Sequence, residues 1–209
     1  DHAYLPVYLI QNKKITSAIA GEVVEGPFLS AKQTVRDYRM EERIEVRFGD
    51  GLQILSKEDE ITAITICGMG GELISRILEA GFSGGHLNGK ERLILQPNVA
   101  EHFVREWLMN HSYRITHETV VEDNHRLYEI IVAEPVEERI EYTELEIKYG
   151  PILLKEPSEL SVAKWKRTNR KNKEILEQLQ KSKTPQHEKI EQFEKAFNEL
   201  QGVIDRANS

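Results

Sequence analysis

The stretch Ile61-Thr-Ala-Ile-Thr-Ile-Cys-Gly-Met-Gly-Gly-Glu-Leu-Ile74 decides the fold. Its first half, Ile61–Cys67, is a short apolar run rich in β-branched residues, as in a strand covered on both faces. Three glycines follow as a turn. Helical spacing then opens at Ile74, Ile77 and Leu78, with Gly81 placed to cap the helix. Strand, glycine turn and helix together make the repeating unit of an open α/β sheet, in which ligands bind at the carboxyl ends of the strands.

The same alternation extends both ways. Strand-like runs Ser17–Val23 and Ile44–Phe48 come before; Arg92–Gln96, Tyr113–Val121 and Leu127–Ala133 come after. Phe28, Ala31, Val35 and Tyr38 share one helix face between them, with Pro27 suited to a first turn. Val104, Trp107 and Leu108 share another. These runs predict a mainly parallel, doubly wound sheet. Only a loop around Asp123-Asn124 separates the last two, so they should pair as an antiparallel hairpin at the sheet edge.

The pattern changes after Pro135. Val162, Trp165, Asn169, Asn172, Leu176 and Leu179, and then Ile190, Phe193, Phe197, Leu200, Ile204 and Ala207, recur at alternating three- and four-residue steps. Such steps form a heptad seam. Thr184-Pro185 divides them into an antiparallel coiled-coil hairpin, Glu159–Ser182 and Gln186–Ala207. The expected organisation is a domain over 1–135, a connector over 136–158 and a helical hairpin over 159–209.

Composition narrows the function classes. With 39% hydrophobic and 30% charged residues, the chain reads as a globular protein. No apolar run approaches the ~18 residues of a membrane span. Cys67 is the lone cysteine, which rules out an intrachain disulfide and suits the cytoplasm. Residues 136–209 hold 14 Lys and Arg against 14 Asp and Glu, so residues 1–135 carry the whole net charge of −7. An acidic chain grips nucleic acid only through a local basic patch. Lys164, Lys166, Arg167, Arg170, Lys171 and Lys173 offer one: six cations in ten residues with no acid among them. They read either as phosphate contacts or as a solvated helix face.

Five segments fall where strands end or the chain begins. They are Asp1-His2-Ala3-Tyr4-Leu5-Pro6, Ala20-Gly21-Glu22, Gly49-Asp50-Gly51-Leu52, Cys67-Gly68-Met69-Gly70-Gly71 and Leu95-Gln96-Pro97-Asn98. An acid such as Glu22 at a strand end accepts the two hydroxyls of a ribose. Asp50 in the next turn suits an adenine amino group, though Gly and Asp also make ordinary turns. A dinucleotide fingerprint starting at Gly68 would need glycine at 73, where Leu73 stands, so a nicotinamide-dependent oxidoreductase is disfavoured. The glycines would instead clear room for a small group and a base. The amides of Gln96 and Asn98 suit a base edge.

These strings, together with Glu25-Gly26-Pro27-Phe28, Tyr128-Glu129-Ile130, Tyr149-Gly150-Pro151 and Lys155-Glu156, closely resemble the bacterial TrmK family of tRNA (adenine-22-N1)-methyltransferases. The resemblance covers nearly the whole chain. It implies a class I Rossmann-like methyltransferase that uses S-adenosylmethionine to methylate N1 of an adenine in the tRNA D-loop region. Members of the family have a helix, a first strand and a D-x-G-S segment ahead of the string that begins here at Asp1, so a sheet lacking its central strand is expected.

The resemblance implies the following roles. Glu22 and Val23 border the cofactor ribose. Asp50, Gly51 and Leu52 border its adenine, and Asp1 and His2 its methionine or ribose end. Gly68, Met69 and Gly70 border the methyl group. Tyr4 stacks on the flipped base or is a half-buried core residue. Gln96 and Asn98 contact the adenine, and His2 is a base or a hydrogen-bonding residue. A cytoplasmic monomer without metal or membrane contact is expected. Two rivals stand beside it: a methyltransferase of another substrate, and a non-catalytic interaction module.

Overall fold

Each strand-like run becomes a strand, with ends shifted by a few residues. The computed structural model describes residues 2–181 and 186–208. Asp1, Ser182 and the Thr184-Pro185 break lie outside the described residues. In chain order the elements are α1 (Tyr4–Gln11), β1 (Ala18–Glu22), α2 (Glu25–Asp37), β2 (Ile44–Phe48), β3 (Ala63–Met69), α3 (Gly71–Ser83), β4 (Arg92–Pro97) and α4 (Glu101–Asn110). Then come β5 (Tyr113–Asp123), β6 (Arg126–Pro135), α5 (Glu144–Tyr149), α6 (Pro151–Lys155), α7 (Glu159–Gln180) and α8 (His187–Ala207). The chain divides into two compact units, residues 1–62 with 73–91, and residues 63–72 with 92–209. The boundary expected near 135 falls inside the second unit.

In the first unit β1 and β2 pair in parallel, from Ala18 opposite Ile44 to Glu22 opposite Phe48. Ala3, Val7 and Ile10 of the N-terminal segment pack with Ala31, Val35 and Ile44 as its core. Helix α1 has no counterpart in the strand–helix pattern read from the sequence. Its signal is the 3-7-10 spacing of those buried residues, and Pro6 lies in its first turn, where no N–H is required. Gly81 is not the cap of α3, because the helix runs through it to Ser83. A Cβ at Gly81 would stand 2.5 Å from Leu52 Cδ1, so glycine lets the 3-10 turn Gly51–Ile54 approach the helix.

The second unit is built on a four-stranded sheet of order β3-β4-β6-β5. β3 and β4 are parallel; β6 runs antiparallel to both β4 and β5. β5 is the edge, as the hairpin expectation requires. Asn124 and His125 close that hairpin with φ of 47° and 60°, the left-handed pair of a two-residue type I′ turn. The strands thus occupy a two-stranded parallel sheet and a four-stranded mixed one, where the alternation predicted one mainly parallel sheet.

The seam positions of α7 and α8 are buried or half-buried, from Val162 to Leu179 and from Ile190 to Ala207. Asn169 Nδ2 donates to Gln201 Oε1 at 3.0 Å, and Lys166 Nζ reaches Asn208 Oδ1 at 3.4 Å, so the helices run antiparallel. At their base Trp165, Leu200, Val203 and Ile204 form one core with Val120 of β5 and Leu153 of α6. Burying such large apolar side chains contributes ~1.5–3 kcal/mol each. The hairpin is therefore packed onto the sheet through an apolar base.

Candidate active site

The first unit places two carboxylates at neighbouring strand ends. Gly49 N–H donates to Glu22 O at 3.0 Å, extending the parallel ladder by one bond beyond the Glu22–Phe48 pair. Glu22 is half-buried, and Asp50, two residues past β2, is exposed. Val23 is exposed beside Glu22, while the Leu52 side chain is buried, which leaves Leu52 its backbone to offer a ligand. Phe28 meets Phe48 edge-on at 5.4 Å and carries Lys32 Nζ over its ring at 4.5 Å. His2 and Ala3 have φ of 48° and 61°, a strained lead into α1. Tyr4 follows with 57% of its surface exposed, which removes the half-buried core alternative.

The second unit closes a ring of hydrogen bonds at the ends of β3 and β4. Gly68 N–H donates to Gln96 Oε1 at 2.8 Å, Gln96 Nε2 to Asn98 Oδ1 at 3.0 Å, and Asn98 Nδ2 to Gly68 O at 2.8 Å. Asn98 N–H adds a bond to Met69 O at 2.7 Å. The two amides clamp Gly68 through its N–H and C=O, and each NH2 retains a single uncommitted hydrogen within this ring. Gly68, at φ 79°, sits at the irregularity where the β3–β4 register slips, and a Cβ there would meet nothing within 4 Å. Its glycine is required by the backbone conformation and leaves open space. Gly71 makes room for protein instead of ligand: a Cβ would fall 2.1 Å from Ala100 O. Met69 is exposed at the strand end, and burial pushes the thiol of nearby Cys67 up from its ordinary value.

The basic stretch on α7 divides. Lys166, Arg170, Lys171 and Lys173 are exposed. Arg167 is partly engaged, donating to His125 O at 2.9 Å with Glu122 at 3.6 Å. Lys164 does not belong to the set. Its ammonium lies 2.5 Å from Glu101 Oε1 and 2.6 Å from Glu129 Oε1, with its side chain 18% exposed. Two carboxylates in a poorly hydrated setting hold it where no phosphate need be invoked. Burial opposes its charge, but Glu129 and Glu101 outweigh burial and raise its pKa.

Lys164 opens onto a buried ionic cluster that sequence reasoning missed. Arg105 is fully buried and pairs with Glu129 through Nη2 and with Glu118 through Nε at 2.8 Å. Glu118 Oε2 also accepts the N–H of Ile152 at 2.8 Å and of Leu153 at 3.3 Å, at the start of α6. Burial works against the Glu129 carboxylate, yet Arg105 and Lys164 hold its pKa below the usual range. One signal was available: Glu129 alternates with buried Ile131 and Ala133 and so faces inward. Glu118 gave none, because a register irregularity between Ile115 and His117 reverses the parity of β5.

Among the described residues no group of three or more His, Cys, Asp or Glu could hold a metal ion, and no helix is long and apolar enough to cross a membrane. Residues 1–202 match the family described as TrmK: tRNA (adenine(22)-N(1))-methyltransferase. The tRNA (adenine(22)-N(1))-methyltransferase of Bacillus subtilis strain 168 is 42% identical over 211 residues, 98% of this chain and 87% of that protein. The crystal structure of the B. subtilis M1A22 tRNA methyltransferase TrmK superposes with a TM-score of 0.88 at 41% identity, covering 98% of this chain and 88% of that one. A Streptococcus pneumoniae putative tRNA (m1A22) methyltransferase, solved in complex with S-adenosyl-L-methionine, gives 0.87 at 39% identity over 98% and 88%.

Proposed function

This chain belongs to the TrmK family of tRNA (adenine(22)-N(1))-methyltransferases, and from that premise we propose which of its residues perform the reaction and grip the RNA. The fold is Rossmann-like, the activity is S-adenosylmethionine-dependent methylation of tRNA, and the methylated atom is N1 of adenine 22. The residues suit the cofactor: half-buried Glu22 beside exposed Asp50 at adjoining strand ends matches a ribose next to an adenine, and Gly68 leaves open space for a substituent. This pair of carboxylates carries the assignment.

The chemistry supplied by bound S-adenosylmethionine is an activated methyl, which N1 of neutral adenine takes with its lone pair while the positive charge passes from sulfur to base. No proton must be removed for the new bond to form, so the site needs alignment more than a general base. Alignment alone can contribute ~7–11 kcal/mol in favourable cases. Glu22 holds the ribose with Val23 beside it; Asp50 takes the adenine amino group with Gly51 and the Leu52 backbone; His2 lies at the methionine or ribose end. Gln96 and Asn98 hold the Gly68–Met69 turn in place, and each offers its remaining amide hydrogen to the target base. Gly68, Met69 and Gly70 line the path of the methyl. N1 lies on the pairing edge, so the base must leave its stack to react, and exposed Tyr4 supplies a face for it.

Lys166, Arg170, Lys171 and Lys173, with part of Arg167, take the phosphates, and the chain acts as a monomer in the cytoplasm. The three- and four-residue steps of the α7 and α8 seams support a coiled-coil form for this hairpin. Incubation of unmodified tRNA with the protein and labelled S-adenosylmethionine, followed by mapping, should place the methyl on N1 of adenine 22. Label on another base, or on protein, would overturn the reading.

A further inference from the structure

One cation joins the RNA-gripping helix to the turn at the base-handling edge. Asn98 is bonded to Gly68 and Met69, and Val99 O accepts Gly71 N–H at 2.8 Å. Ala100, at φ 60°, is pressed on Gly71, and Glu101 follows as the first residue of α4. Every residue from Asn98 to Ala100 is thus held, and Glu101 is the next side chain along. It pairs with Lys164 of α7, whose second partner Glu129 is held by Arg105. Glu101 and Lys164 are 16% and 18% exposed, so water screens the contact weakly.

Stability alone does not ask for charges here. Apolar residues of similar volume often replace a buried ion pair without loss. An ion pair with two carboxylates differs from an apolar contact in fixing direction and distance. The apolar base of the hairpin, centred on Trp165, Leu200 and Leu153, is held by packing; the Lys164 ammonium between Glu101 and Glu129 adds two contacts of fixed partner and distance.

We propose that Lys164 and Glu101 are positioning residues that fix the hairpin relative to the Asn98–Ala100 turn, so that tRNA gripped by α7 presents its adenine to the Gly68–Met69 edge. The inference rests on the hairpin being the RNA grip. Glu101 is the better handle, because Glu101→Ala removes the acceptor and so breaks the link to the turn, and leaves the Lys164–Glu129 pair intact. Lys164→Gln takes the ammonium from both acids, leaving Glu129 to Arg105 alone, and serves only as a second variant with its melting temperature followed.

Single-turnover methylation of tRNA, with separate binding measurements for tRNA and S-adenosylmethionine, tests it. Glu101→Ala should slow the methyl-transfer step about tenfold or more, since misplacement by ~1 Å can cost ~10²-fold. Both affinities should stay within about twofold of wild type, and exposed Glu106→Gln on the same helix should change nothing. An unchanged rate overturns the proposal. So does a loss confined to tRNA affinity, which would make Glu101 part of the grip, or a loss matched by a fall in melting temperature, which would make it scaffold. Failure of the wild type to methylate tRNA would instead count against the functional reading.

Discussion

Tyr4 stands at the start of α1, exposed, one turn from equally exposed Tyr8, after two residues in left-handed backbone. An aromatic face held there at a conformational cost suits a displaced base. Tyr4→Ala should lower turnover on tRNA about tenfold, in line with stacking worth ~1–3 kcal/mol, while leaving S-adenosylmethionine affinity and thermal stability nearly unchanged. Tyr4→Phe should be milder, because it keeps the ring. Equal loss in both variants, measured as kcat/KM on tRNA, would point to the hydroxyl, and full activity in both would remove Tyr4 from the site. The strand-end places of Glu22 and Asp50 and the glycine turn at Gly68 were legible at this scale because such features are local patterns. Arg105 and Glu118 were not, since what makes a buried charge tolerable is its partner, and theirs lie 13 or more residues away across a strand irregularity.

Helix α7 shows what periodicity can and cannot reveal. Its seam was readable because apolar steps of three and four residues require one buried face, and Asn169 fits that seam by bonding Gln201 across it. The outer face was readable only as a run of cations. Which of them serve the protein depends on acids from α4, β5 and β6, outside any local window. The cleaner test therefore uses Lys166, Arg170 and Lys173, which lie on one face and are all exposed. Replacing these three with Gln should weaken tRNA binding and flatten its salt dependence by up to ~0.9 in log–log slope for each duplex phosphate no longer neutralised. Cofactor affinity and melting temperature should hardly move. A salt slope identical to wild type would leave α7 as scaffold. Helix α1 leaves little such trace, because its eight residues span too few helical periods for a repeat to stand out.

The whole chain carries its charge unevenly, and its acid response should reflect that. Hydrogen bonds from Arg47 and from Ser56 N–H hold the Asp59 carboxyl well below its ordinary value, and Glu129 is also held low despite burial. A depressed carboxylate contributes stability above its unfolded pKa, about 3.9 for Asp and 4.3 for Glu, and loses it as pH falls through the folded value. Denaturant midpoints should therefore hold from pH 7 to about 5 and fall below about 4, with a shallower fall in Asp59→Asn; parallel acid limbs would sink this assignment. At this scale the α/β class and the terminal hairpin were legible from alternation and heptads. The division into two sheets was not legible in that alternation, because hydrogen-bond partnership between distant strands leaves no mark in local sequence; the expectation of a sheet lacking its central strand pointed to it instead. The cluster of Glu101, Arg105, Glu118, Glu129 and Lys164 also constrains how this protein can evolve. Losing the fully buried Arg105 strips Glu118 and Glu129 of their shared counter-ion, at about 3–5 kcal/mol, whereas exchanging Arg105, Glu118 and Glu129 together for apolar side chains can be neutral. Stepwise mutation must cross that valley, so a lineage that acquires the cluster is held to it whether or not a better-packed interior exists.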